Sequence, residues 1–120
     1  MIIELPWPPS MNHYWRHVGS KVLISKAGRA YRKRVSARAM LAMMTARCRT
    51  LDGSVAVMIW ACPPDRRRRD LDNILKPLLD ALQHAGCYRD DSQIDDLHVT
   101  RMPEKPPAGT VTVTIDGMEE

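Results

Sequence analysis

The chain has 120 residues, enough for one domain with a modest core, and an apolar fraction of 44% that suits a globular protein. No apolar run approaches a membrane span, the start lacks the pattern of a secretory signal, and Cys48, Cys62 and Cys87 form no paired motif; these features exclude a membrane protein and a disulfide or zinc framework, and lead to the expectation of a cytoplasmic protein. The net charge of +4 hides an asymmetry: residues 1–69 hold 14 of the 18 basic groups and three acids, whereas Asp70 to Asp96 contains seven aspartates against Lys76 and Arg89. A basic surface beside an acidic knot suits phosphate attraction next to cation binding.

In chain order, Ile2 to Leu5 reads as a strand, ended by Pro6-Trp7-Pro8-Pro9, which cannot donate ladder hydrogen bonds. Lys21 to Ile24 reads as a second strand. Ser25 is placed to cap a helix running to about Arg47, with Ala27, Tyr31, Val35, Ala39, Ala42 and Ala46 as its apolar stripe. Its other face is basic (Arg29, Arg32, Lys33, Arg34, Arg38), a candidate DNA track or a solubilising surface. Asp52-Gly53 marks a turn, and Ser54 to Trp60 is β-rich, with Trp60 expected in the core. The methionines Met40, Met43, Met44 and Met58 suit a core or a dimer contact.

After Pro63-Pro64-Asp65 comes Arg66-Arg67-Arg68-Arg69-Asp70-Leu71-Asp72-Asn73. A helix fits Asn73 to Ala85, with Leu75, Leu78, Leu79 and Leu82 buried and Gly86 as its stop. Pro77 is harmless only in a first turn, so residues 70–72 should precede the helix in extended chain. There Asp70 and Asp72 would face one way with Arg66 and Arg68, while Arg67 and Arg69 face the other. Arg89-Asp90-Asp91-Ser92 is a turn into a strand from Ile94 to Met102, and Thr110 to Ile115 alternates as a half-buried strand. The result is a single α+β domain over residues 1–120, in the order β-β-α-β-α-β-β, with two helices on a mixed or mainly antiparallel sheet.

Other polar residues have plainer readings. Asp72 or Asn73 could cap the second helix. Asp90 suits a turn, Asp95 and Asp96 a solvated strand edge, and Asp80 a helix-surface charge or a partner for an arginine. His13 and His17 stand four apart, though nucleic-acid contact or packing fits them better than metal.

Leu5-Pro6-Trp7-Pro8-Pro9-Ser10, Asn12, the run from Asp65 to Asn73 with Lys76, then Asp80-Ala81-Leu82, Ala85-Gly86 and Asp90-Asp91-Ser92-Gln93 together resemble the RusA family of Holliday junction resolvases. The resemblance implies a homodimeric, Mg²⁺-dependent endodeoxyribonuclease of recombination and repair, with Mn²⁺ an acceptable substitute and no small-molecule cofactor. Its members bind four-way DNA junctions, make paired symmetric nicks and cut beside cytosine pairs. On matching positions the catalytic residues would be Asp70, Asp72, Asp91 and Lys76, the three aspartates holding the metal, with Arg66, Arg67, Arg68, Arg69 and Asn73 binding nucleic acid. The donor chemistry agrees, because Mg²⁺ takes one or two carboxylates and completes its shell with water and phosphate. Two other readings are a non-catalytic basic DNA-binding module and a Mg²⁺ nuclease acting on other branched nucleic acid.

Overall fold

The computed structural model describes residues 1–118. Its core is a four-stranded sheet, β1 (Ile2–Pro6), β4 (Val55–Cys62), β5 (Ile94–Arg101) and β6 (Thr110–Gly117), in the order β1-β6-β4-β5. β6 runs antiparallel to both neighbours, and β5 runs parallel to β4, so the sheet is mixed. A parallel pair needs a crossover, and the helix α3 (Asp72–His84) provides it. Period-two patterning sets the buried face: Ile3 and Leu5, then Val55, Val57, Ile59 and Ala61, then Val111, Val113 and Ile115 all point the same way and are buried. The helix α2 (Lys26–Ala46) covers this face with Tyr31, Val35 and Ala39; α3 adds Ile74, Leu78, Ala81 and Leu82.

The opposite face has no helix over it. Trp60 lies there, between Thr112 and Thr100, and is half-buried rather than in the core, because even-numbered residues of β4 point away from the helices. Met58, Met40 and Met44 are exposed, which excludes the core for these three, while Met43 is half-buried.

Two elements were not anticipated. The short helix α1 (Met11–Tyr14) follows the proline segment, and β2 (Trp15–Val18) pairs with β3 (Lys21–Ile24) as a separate hairpin closed at Gly19. The full order is therefore β-α-β-β-α-β-α-β-β.

Ser25 caps α2 as expected, its hydroxyl accepting from the Gly28 N–H at 2.9 Å. The stripe is shifted at its ends: Gly28 is buried, whereas Ala27 and Ala46 are exposed. Tyr31 and Val35 set the phase, and only a glycine fits one turn earlier. A Cβ on Gly28 would lie 2.3 Å from the Tyr14 carbonyl oxygen. At the far end of α3, Gly86 takes φ +87°, the left-handed conformation that stops a helix. Among the described residues, no helix is long and apolar enough to cross a membrane.

Candidate metal and nucleic-acid site

The arginine run lies in the loop joining β4 to α3, and this loop is bent rather than extended. Asp65 organises it: one carboxylate oxygen accepts from the Arg67 N–H at 2.9 Å and from the Arg69 guanidinium at 2.7 Å, and the other lies 3.4 Å from Arg67 Nε. The Arg69 and Arg67 contacts hold the Asp65 carboxyl well below the usual carboxylate range. Arg101 ties the loop to β5 by donating to the Arg69 carbonyl. The expected alternation of the arginines is therefore replaced. Arg67, Arg68 and Arg69 line one cleft together with Asp70, and Arg66 is exposed outside it. Arg67 and Arg69 both bond to protein through Asp65. Arg66 and Arg68 have no side-chain partner among the described residues and remain available to a polyanion.

The start of α3 differs from expectation too. Leu71 has φ −62° and ψ −35°, a helical conformation, and Asp72 is already the first helical residue. The Asn73 and Ile74 N–H groups bond to the Asp70 and Leu71 carbonyls at 3.3 Å, so a tight turn begins the helix early. Pro77 consequently falls in the second turn, where it is buried and leaves the Asn73 carbonyl without its helical donor. With Leu71 helical, extended-chain geometry no longer aligns Asp70 with Asp72. Asp70 instead shares the cleft with Asn73, and Asp72 shares a helix face with Lys76.

No side chain caps α3. Asp70, Asp72 and Asn73 are all good capping types within one turn of its start, yet among the described residues none of the three side chains has a hydrogen-bonding or ionic partner. All three are exposed.

Asp91 is brought to the same helix face. Asp72, Lys76 and Gln83 are spaced to lie along one side of α3. The Asp91 N–H donates to the Gln83 side-chain oxygen at 2.9 Å, and the Asp91 carboxylate accepts from Lys76 Nζ at 3.1 Å. The turn Asp91–Gln93 is a 3₁₀ helix capped by Asp90, which accepts from the Ser92 N–H at 2.8 Å. That contact holds the Asp90 carboxyl below its usual range, and the expected turn role is the one observed. Gln93 clamps the segment. Its oxygen accepts from the Arg89 and Asp90 N–H groups at 2.8 and 2.9 Å, and its nitrogen donates to the Leu51 and Gly53 carbonyls at 3.0 and 2.8 Å. The run Asp90-Asp91-Ser92-Gln93 thus divides into a cap, a presented carboxylate and a clamp.

The donor set suits a hard cation: oxygen ligands only, two of them unpaired and exposed. It is not a ready-made cage, because among the described residues no three His, Cys, Asp or Glu side chains stand close enough to share one ion. Lys76 occupies the Asp91 carboxylate. For Mg²⁺, which needs one or two protein carboxylates and fills the rest of its shell with water and phosphate, these residues fit.

Several residues have structural duties instead. Asp80 accepts from Arg32 at 2.8 Å and from the Tyr14 hydroxyl at 2.5 Å, which removes Arg32 from the basic track of α2. Arg29 and Arg38 donate to the Ile24 and Glu4 carbonyls, whereas Lys33 and Arg34 make no such bond among the described residues. Asp96 pairs with His98, and Asp95 accepts from Ser54, both on the exposed edge strand β5. His13 and His17 fall in α1 and β2, so their spacing gives them no common helical face. Asp65 and Gln83 are the positioning residues that sequence reasoning missed. Their signals were the i+2 and i+4 arginines after Asp65, and the seven-residue step from Lys76 to Gln83.

Residues 6–116 match the family described as Endodeoxyribonuclease RusA. The chain is 44% identical over 119 residues to a crossover junction endodeoxyribonuclease of Enterobacteria phage HK97, covering 96% of this chain and 92% of that protein. It is 43% identical to the protein of that name in Shigella sonnei and 42% identical to the one in Escherichia coli K12, covering 97% of this chain and 93% of each relative. On this breadth and identity, the chain belongs to the RusA family of endodeoxyribonucleases.

Proposed function

We propose that this endodeoxyribonuclease resolves four-way DNA junctions in recombination and repair, acting as a homodimer that makes paired symmetric nicks and depends on Mg²⁺, with Mn²⁺ as a substitute. Membership of a DNA-cleaving family overturns the reading of a non-catalytic binding module. The observation that carries the metal and catalytic assignment is the start of α3. Three residues able to cap the helix leave it uncapped and keep their side chains free, one turn from a lysine already paired with a third aspartate.

In this reading Asp70 and Asp72 would hold the ion, and Asp91, engaged by Lys76 in the neighbouring turn, would have to close onto it to add a third carboxylate. The bound ion supplies Lewis-acid polarisation of the phosphate and a lowered pKa for a coordinated water. Lys76 holds Asp91 in place and presents its remaining N–H donors to the charge that develops on the phosphate. Gln83 and Gln93 fix the turn that carries Asp91, so that carboxylate is positioned before the substrate arrives. Arg66 and Arg68 take phosphates of the bound strand, and Asn73 contributes an amide at the cleft. A junction with approximate two-fold symmetry must be cut twice, which two identical sites in a C₂ dimer satisfy.

The test is to incubate the protein with a synthetic four-way junction and with matched duplex, in Mg²⁺ or EDTA. Symmetric nicks confined to the junction, lost in EDTA and in Asp70→Asn while that variant still binds, are expected. Cutting that survives EDTA or Asp70→Asn would refute the metal assignment. Equal cutting of duplex or flaps would refute the junction assignment and favour a nuclease for other branched nucleic acid.

A further inference from the structure

The cleft beside Asp70 has a volume of about 560 Å³, and its lining also includes Trp7, Ser10 and His13, none of which the proposed chemistry uses. We infer that this cleft receives one unstacked nucleotide of the substrate strand beside the cleaved phosphate, with its base laid on Trp7 and its phosphate held between Arg68 and His13. The inference rests on the junction reading above and adds a subsite to it.

The platform is rigid before anything binds. Trp7 is flanked by Pro6 and Pro8, whose rings fix φ, and the Pro6 carbonyl accepts from the Tyr31 hydroxyl at 2.8 Å. An aromatic face held this way can stack any base with little ordering cost. The cavity is far too narrow for a duplex, so its occupant is a single nucleotide.

Two anion contacts line the cleft. Arg68 is exposed and has no partner among the described residues. His13 Nδ1 lies 2.8 Å from the Ser10 hydroxyl, and its Nε2 has no partner among them. The Ser10 contact occupies Nδ1 and leaves Nε2 as the ring nitrogen open to a phosphate oxygen. Asn73, at the same cleft, offers a donor and an acceptor to a base edge. A branch point supplies such a base at low cost, because stacking is already interrupted there.

The test is a scan of single abasic sites through the strand near the cut, with binding measured in EDTA. On intact junction, Trp7→Leu weakens binding roughly five- to hundredfold, the effect of losing one base–aromatic stack, and Trp7→Phe retains most of it. When the abasic site occupies the captured position, wild type and Trp7→Leu bind alike; at every other position the difference returns. His13→Ala, a change at an exposed side chain, loses its effect on binding when the phosphate beside that same position is replaced by a neutral methylphosphonate. A Trp7→Leu effect that is equal at all abasic positions, on a protein that still cuts junctions, would overturn the subsite and leave the junction reading standing. Absence of both binding and cutting by wild type would overturn the junction reading and the subsite with it.

Discussion

Gln93 makes four hydrogen bonds through one amide, two received and two given, and they join the turn carrying Asp91 to the loop before β4. Gln93→Met keeps the length of the side chain and removes all four. At about 1 kcal/mol net each, the upper limit is about 4 kcal/mol. Three of the backbone partners, the Arg89 and Asp90 N–H groups and the Gly53 carbonyl, are in exposed bonds and regain water. The Leu51 carbonyl is in a partly buried one, and leaving it unpaired costs about 1–3 kcal/mol. The expected loss is therefore about 1–3 kcal/mol, a fall in the urea midpoint of the order of 1 M with unchanged slope. Gln93→Glu keeps the two acceptor bonds and sets a carboxylate against two carbonyls, so it should be at least as damaging. The Arg89 and Asp90 amides should exchange faster in both variants, and cleavage should fall roughly tenfold or more as Asp91 loses its placement. A Gln93→Met protein with the wild-type urea midpoint and wild-type exchange at those amides would refute the clamp.

Gly28→Ala puts a methyl group 2.3 Å from the Tyr14 carbonyl and 2.7 Å from an Ile24 methyl, so it should cost about 1–3 kcal/mol and lower the melting temperature by several degrees; an unchanged melt would mean that α1 is not packed on α2 as described. Asp65 and Asp90 have lowered carboxyl pKa values, held first by the Arg69 contact and by the Ser92 N–H respectively. A depressed carboxylate contributes stability above its unfolded pKa, about 3.9, and loses it as pH falls through the folded value. The two turns should therefore stay formed at pH 4 and loosen only in stronger acid, and carboxyl NMR midpoints at or above 4 for these residues would refute that. Junction binding should weaken with salt at a log–log slope of roughly −5 to −7, for about five to eight phosphates neutralised per dimer. Arg68→Ala should flatten the slope by about 1 per subunit and Arg32→Ala should not, since Arg32 is committed to Asp80; equal effects would undo that distinction.

What could be read from the sequence was what local chemistry dictates. The Ser25 cap, the Gly86 stop and the alternation of Val111, Val113 and Ile115 each depend on neighbours within a few residues, and the structure has all three. β3 was expected, but its partner β2 was missed because Trp15 to Val18 is only four residues long. The start of α3 was misplaced because its signals conflict: Asp72 and Asn73 read as caps, Pro77 reads as a first-turn residue, and none of them holds that role. At the site, residue types were legible and their geometry was not. Asp65 bends the arginine loop across four residues, while Gln83 and Gln93 place Asp91 through contacts that span 8 to 42 positions. Helical spacing puts Gln83 on the face of Lys76, but no periodicity encodes which turn that face receives.

The start of α3 breaks local rules in a consistent direction. A leucine stands at the N-cap, which forgoes about 1 kcal/mol relative to a serine or an aspartate, and Pro77 removes a further backbone bond in the next turn. Asp72 recovers part of this, about 0.3–1 kcal/mol, as a negative charge in the first turn. Nothing in folding requires that arrangement, because Asp70 or Asp72 shifted by one position, or Asn73 by two, would cap the helix. Sites where every local preference is set aside together are where function outweighs stability. The same helix end attracts a phosphate through its dipole. Two carboxylates and a phosphodiester brought to one helix N-terminus repel each other, and of the cations nearby Lys76 is already paired with Asp91. A cation between them would relieve that repulsion in the proposed reaction. The proposed metal dependence predicts that chelation abolishes cleavage while the arginines still carry DNA binding, and cleavage that survives EDTA would refute it.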